Sequence, residues 1–421
     1  MADPPDAESI TVFRSRFVAT MHGPIIAGGA VAISQGRISG VGPWADVRRS
    51  ASAARVEDLG ESILLPGLVN AHTHLELSDV ARPAEMNGFV PWLLTVMAAR
   101  REPTEGAVSA GIEQSLRFGV TCVGDITRQP RAVRPMLRQS GLRAVSFGEV
   151  TAMAQRRGLL DEWMAGALDG ASDDFLHVGI SPHAPYSVEP FAYSRCLAEA
   201  IVRKMPIATH LAESLDETVF LEQHAGPFRQ LWETLGRWDE AVPRFTGGPI
   251  RYARHLGLLA YPTLLAHVNY CDDAELAILA AGKASVACCP RTHAYFQHPP
   301  HRWRDMLAVG INVAVGTDSA ASSGDLNLVD DLRLLHRLAP ESPAEQLWEL
   351  VTTRAAKALM QDREIGSLEA GKWADMVAFD AVGDDPLREI LETDAMPTQV
   401  WIAGKGLGSV SKPNDRAAIG F

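Results

Sequence analysis

Apolar and polar positions along this chain follow two rhythms. Residues 9–63 hold short runs in which apolar and polar side chains alternate, broken by glycine: ITVFRSRFVAT, AVAISQGRISGVG and ARVEDLGESILLPG. A period of two marks strands that bury one face. The same rhythm returns only near the far end, in GSLEAGKWADMVAFD and TQVWIAGKG. Strands need partners, so the outlying pieces, 1–63 and 366–421, are expected to form one small composite β-sandwich.

Between them, over 64–365, continuous apolar runs alternate with amphipathic stretches such as AVSAGIEQSLRFG and DDAELAILAAG. Eight runs read as buried strands: 63–74, 120–126, 143–150, 176–183, 206–213, 263–270, 284–291 and 312–319. Eight β-then-α units predict an α/β protein with a (β/α)8 TIM-like barrel. An open doubly wound sheet uses the same alternation and is the rival architecture.

Composition narrows the class. The 421 residues accommodate a large barrel plus a smaller companion. Apolar residues at 47% and charged residues at 21% fit a globular chain rather than a disordered one. Lys and Arg total 39 against 51 Asp and Glu, a formal net charge of −12. Such a surface repels phosphate backbones and anionic lipid, and no dense basic block offsets it, so neither nucleic acid nor membrane is an expected partner. No apolar run approaches the roughly 18 residues of a bilayer span. The start, MADPPDAESI, lacks the basic and apolar parts of a secretory signal. Cys122, Cys196, Cys271, Cys288 and Cys289 are scattered and odd in number, as expected of reduced thiols in a cytoplasmic protein.

The polar residues of the strand runs gather at their carboxyl ends. His72 and His74 close the first, His183 the fourth, His210 and Glu213 the fifth, His267 the sixth and Asp318 the eighth. In a barrel these ends converge on one face. Two residues apart on a strand, His72 and His74 project to the same side and can grip one ion. A lone His-x-His is equally a hydrogen-bonded pair near a turn; a matching histidine and aspartate on later strands favour the ion. Three imidazoles and a carboxylate suit one divalent metal, zinc first, with iron(II) or manganese also acceptable.

The runs PGLVNAHTHLE, SPHAPYS, THLAES, HVNY and VGTDS, in this order, resemble the amidohydrolase superfamily in its branch of mononuclear aminohydrolases and chlorohydrolases. The resemblance covers essentially the whole chain. It implies that His72, His74, His210 and Asp318 are metal ligands, Glu213 a proton shuttle, and His267 the residue that orients the attacking water. A bound divalent ion lowers the pKa of water from about 16 to about 7, and a carboxylate such as Glu213 can protonate a ring nitrogen while attack proceeds. Asp318 would take the water's proton and pass it to the leaving group. Binuclear members carry a modified lysine at the end of the fourth strand. LHVGISPHAPYS has none, which implies one ion, with His183 a substrate contact or a brace for the following loop.

HTHLELS and CPRTHAYF resemble the aminodeoxyfutalosine and adenosine-type deaminases. The implied reaction is hydrolytic deamination of a small aminated heterocycle, best an adenine-bearing nucleoside such as aminodeoxyfutalosine. Arg291 and the pair Arg100–Arg101 are candidates to meet a substrate carboxylate, or else ordinary structural arginines. Trp92 can stack on a base or serve as core. Adenosine-type members place a glutamate late in the helix after the first strand; WLLTVMAARR has none, which leaves Glu76 and Glu149 as candidate sugar contacts. The long connection 219–259, with Phe228, Trp232 and Trp238, is expected to be a lid, a homodimer contact or plain packing. Hydrolysis of an amide, cyclic amide or C–Cl bond with the same residues is the alternative. A non-enzymatic scaffold would be expected to lose ligands, and this chain keeps them all.

Overall fold

In the computed structural model, which describes residues 10–84, 88–100 and 104–407, the strands form two sheets of eight. One takes β1 (Thr11–Val18), β2 (Ile26–Ser34), β3 (Arg37–Pro43), β4 (Arg55–Asp58) and β5 (Ser62–Pro66) from the beginning of the chain. The other holds β6 (Leu68–Thr73), β7 (Val120–Thr127), β8 (Arg143–Val150), β9 (Leu176–Pro182), β10 (Ile207–Leu211), β11 (Thr263–His267), β12 (Ser285–Cys288) and β13 (Asn312–Val315). From the end of the chain β14 (Met376–Asp380), β15 (Pro397–Ile402) and β16 (Lys405–Leu407) return to the first sheet.

That first sheet is mixed, in the order β16-β15-β14-β5-β1-β2-β3 with β4 beside β1. β5 is the seam between the chain ends, antiparallel to β14 through Leu65 and Val377 and parallel to β1 through Phe17 and Ile63. β1 and β15 are not neighbours in this order, yet Phe13 and Trp401 meet edge to face with ring centroids 5.1 Å apart. The sheet therefore curls over one core of Phe13, Ile33, Leu64, Met376 and Trp401. The alternate residues Val12, Ala30 and Ala32 pack against Val47 of the helix Trp44–Ser50. β2 is therefore buried on both faces from Gly29 to Ile33, where the period-two pattern predicted one buried face.

The second sheet runs in chain order from β6 to β13, and its neighbours from β7 to β13 pair in parallel. It closes where β13 returns to β6: the Asp318 amide donates to the His72 carbonyl at 3.0 Å, and the Thr317 amide donates to Asn70 Oδ1 at 3.1 Å. The eight apolar runs of the sequence are the eight barrel strands, and the open sheet is excluded by this closure.

One boundary differs. The run 63–74 is two strands, because Pro66 lacks an amide hydrogen and Gly67 passes too close to Thr121 for a side chain. A Cβ on Gly67 would lie 2.2 Å from Thr121 Oγ1. Both halves are fully buried, so no change of hydrophobic rhythm announces the break. Two compact units result. One comprises the described residues up to Leu68, Leu116–Thr121 and those from Arg363 onward; the other comprises Val69–Ser115 and Cys122–Asp362. No helix among the described residues is long and apolar enough to cross a membrane, and all five cysteines are free thiols.

Candidate active site

The strand ends bring together the residues that the sequence set apart. His72 lies on β6 and His74 immediately past its end, His210 lies on β10, and Asp318 three residues past the end of β13. Asp318 Oδ1 stands 3.6 Å from Nε2 of both His72 and His74, while its Oδ2 accepts from Ser322 Oγ at 3.0 Å. His74 Nδ1 faces the Ile126 carbonyl at 3.0 Å, and His210 Nδ1 faces the His183 carbonyl at 3.1 Å. A carbonyl only accepts, so each Nδ1 carries the proton and each Nε2 presents a lone pair. Those two Nε2 atoms are 3.2 Å apart. Facing lone pairs at that distance repel, and a cation among them relieves the repulsion. Neither ring nitrogen of the fully buried His72 has a hydrogen-bond partner.

Burial, followed by neighbouring positive charge, holds His72, His74 and His210 down to about 3. They are therefore neutral at physiological pH, the form that ligates a metal. Orphaned nitrogens, fixed tautomers and a carboxylate fit one divalent ion, and harder or softer ions would call for more oxygens or for thiolates.

The backbone is adapted to this convergence. A Cβ at Gly316 would lie 2.6 Å from the His72 carbonyl oxygen and 2.7 Å from its amide nitrogen, so only glycine lets the chain after β13 pass so close to β6. Asp318 and His267 adopt left-handed φ values of 57° and 73°, sparsely populated for side chains of this kind and concentrated at functional sites.

Glu213 follows β10 and His267 ends β11; Glu213 Oε1 and His267 Nε2 are 3.4 Å apart. Burial first, then the charges of Asp318 and Glu217, raises Glu213 well above the usual carboxylate range. Burial and the surrounding imidazoles lower His267 well below its usual range. Both shifts favour the uncharged form of each group. His183 follows β9, with Nδ1 2.6 Å from Ser187 Oγ, and lines the cleft.

The cleft above these residues encloses about 1110 Å³ of space continuous with solvent. Phe89, Trp92, Tyr186, Leu231 and Trp232 form an apolar wall, and Glu76, Arg100, Arg128, Glu149 and Arg156 a charged one. Trp92 is both lining and core: its ring meets Phe296 edge to face, and its N–H donates to the Ala321 carbonyl. The excursion 219–259 supplies part of this wall. Phe228 stacks on Tyr186 at 3.9 Å, and the Trp232 N–H donates to the Tyr186 carbonyl.

Two arginine expectations need correction. Arg291 does not reach the cleft. Its guanidinium binds the fully buried Asp331 and also Asp325, so it serves as an internal counter-ion. Arg100 does line the cleft but is engaged by Glu76 at 2.5 Å, and Arg101 lies outside the described residues. Glu76 is saturated in turn, accepting also from Thr127 Oγ1 and the Arg128 amide. The arginines that sequence reading missed are Arg128 and Arg156. Arg128 sits immediately after β7 and was legible by the strand-end rule; Arg156 lies in the 3-10 helix Ala154–Leu159, away from a strand end, and carries no such signal.

A closed parallel barrel whose strand ends gather imidazoles, a carboxylate and a buried acid defines a class, the barrel hydrolases that work through a divalent ion. The model of the Amidohydrolase family matches residues 63–407. A 5-methylthioadenosine/S-adenosylhomocysteine deaminase of Moorella thermoacetica is 30% identical over 384 residues, 86% of this chain and 84% of the relative. Among solved structures, the aminofutalosine deaminase of Helicobacter pylori in complex with methylthio-coformycin superposes with a TM-score of 0.85 at 23% identity, covering 94% of this chain and all of that one. An adenosine deaminase from Xanthomonas campestris with bound zinc superposes at 0.78 and 25% identity, covering 96% and 93%. The chain belongs to the amidohydrolase family and is a hydrolytic deaminase.

Proposed function

We propose that this enzyme deaminates an adenine nucleoside that carries an acidic substituent at its 5′ end, such as aminodeoxyfutalosine or S-adenosylhomocysteine. The observation that carries the reading is that Arg128 and Arg156 line the same cleft as the imidazole–carboxylate cluster and Glu213. Both guanidiniums lie over Trp163, at 5.6 and 5.3 Å; Arg156 Nε is buried without a hydrogen-bond partner among the described residues, and Arg128 Nε faces Glu149 Oε1 at 3.5 Å. Burial and the charges of Arg128 and Arg237 pull Arg156 below its usual range. A substrate carboxylate would satisfy both arginines bidentately. The names of the relatives support an adenine nucleoside as the substrate.

His72, His74, His210 and Asp318 would hold one divalent ion, zinc by its donor set. When bound, it supplies water acidic enough to attack at neutral pH. Glu213, kept protonated by burial, donates to the ring nitrogen beside the carbon under attack, and His267 holds the water in line. Asp318, its Oδ2 anchored by Ser322, takes the water's proton and delivers it to the departing amine. A C–O bond forms and the C–N bond breaks; the remaining hydroxyl proton returns to the Glu213 carboxylate, so ammonia leaves and the base is left in its oxo form. His183, its Nδ1 committed to Ser187, offers Nε2 to the base edge. The apolar wall with Trp92 takes the base face, and Glu149 is the acceptor for ribose hydroxyls, since Glu76 is already saturated.

The test is ammonia release from adenosine, 5′-methylthioadenosine and 5′-acidic adenine nucleosides by zinc-loaded protein. Release with preference for the acidic members is expected. Silence across the adenine nucleosides with metal bound would overturn the reading and leave amide or C–Cl hydrolysis.

A further inference from the structure

We infer that Glu217 is a positioning residue for the proton donor Glu213, holding the turn that aims it; this rests on the role of Glu213 proposed above. The turn after β10 is unfavourable by itself, because Ala212 adopts a left-handed φ of 50° immediately before Glu213. Two bonds from one carboxylate hold it there. Glu217 accepts from the Ala212 amide through Oε1 and from the Glu213 amide through Oε2, both at 3.0 Å. On the other side, Asn269 Nδ2 donates to the Glu213 carbonyl at 3.0 Å, and the Asn269 amide donates to the Ala212 carbonyl at 3.0 Å. The main chain of Glu213 is thus fixed at both its donor and its acceptor.

A merely structural glutamate here would look different. Glu217 is the third residue of the helix Leu215–Gln223, whose N-cap is Ser214. A glutamate at that position ordinarily bonds the N-cap amide as half of a capping box. Instead Ser214 makes no side-chain cap bond, and Glu217 reaches past it to the two preceding amides. Its side chain is fully buried and, among the described residues, no Lys or Arg forms an ion pair with it. A buried carboxylate without a cation is unfavourable, so its cost is offset only through what it holds.

The experiment compares Glu217→Gln in the wild-type and Glu213→Gln backgrounds, because the glutamine keeps the volume but turns one acceptor into a donor facing an N–H. In the wild-type background kcat is expected to fall about 10- to 100-fold with KM nearly unchanged, the size of a misaimed catalytic group. Bound metal should be unaltered. In the Glu213→Gln background the same substitution should have almost no further effect, since what it positioned is gone. An equal loss in both backgrounds, or none in either, overturns the inference.

A second readout needs no substrate and so separates failure of this inference from failure of the proposed reaction. Hydrogen exchange of peptides covering 209–216 should accelerate in Glu217→Gln while peptides around His72 and Asp318 keep wild-type protection. Uniform acceleration across the barrel, or none, counts against it. If Glu217→Gln does not fold, Asn269→Ala removes the opposite side-chain hold and should give the same kcat loss and local exchange; wild-type behaviour in that variant also overturns the inference.

Discussion

Asp318 meets His72 twice: its main-chain N–H donates to the His72 carbonyl at 3.0 Å, and its side-chain Oδ1 stands 3.6 Å from the His72 Nε2. The bond that closes the barrel and the approach that builds the proposed ion site involve the same two residues. Closure and site geometry are therefore one event, and neither can be altered alone.

Gly316 is the test of that coupling. Alanine there would place a methyl group against the His72 backbone at contacts under 3 Å. Gly316→Ala is expected to weaken metal binding about 10- to 100-fold, the size of losing a group that orients a ligand. Metal titration of the chelator-stripped variant measures it, and wild-type affinity would separate closure from the site.

Removing the ion should expose the repulsion between His74 Nε2 and His210 Nε2, 3.2 Å apart. Chelator-treated protein should lose ammonia release and become less stable to urea. Restoring zinc at a hundredfold excess over its Kd should return about 2.7 kcal/mol by mass action. Equal denaturation midpoints with and without metal would count against an ion at this cluster.

Glu213→Gln keeps volume and hydrogen-bonding shape but cannot shuttle a proton. Turnover is expected to drop about 10²- to 10⁴-fold at unchanged metal content. Steady-state kinetics with metal analysis decides, and near-wild-type turnover would remove Glu213 from the mechanism.

Arg156→Ala should discriminate between substrates. KM for a 5′-acidic nucleoside is expected to rise about 10- to 100-fold, the worth of a charge-assisted hydrogen bond, while adenosine is little affected. Equal effects on acidic and neutral nucleosides would place Arg156 outside substrate recognition.

Arg291 should behave in the opposite way. Arg291→Gln strands the fully buried Asp331 without its counter-ion and is expected to cost about 3–5 kcal/mol of stability. The folded fraction should keep the wild-type KM. Urea denaturation and kinetics together test this, and a raised KM with unchanged stability would return Arg291 to the substrate.

The chain by itself determined the barrel, the composite sheet and the convergence of His72, His74, His183, His210, Glu213, His267 and Asp318. Each of these is written in local periodicity or in a strand-end position, and repeating βα units admit few topologies. Only the tertiary structure decided what depends on partners distant in sequence. Pro66–Gly67 is a break because of Thr121. Arg291 turns inward because Asp331 is buried beside it, and Arg100 is taken up by Glu76. Arg128 and Arg156 line the cleft with Glu149, which stands 3.5 Å from Arg128 Nε, as the nearby carboxylate. Whether a charged side chain binds a substrate or another residue depends on which neutralising group lies within a few ångströms, and sequence spacing carries no record of that distance.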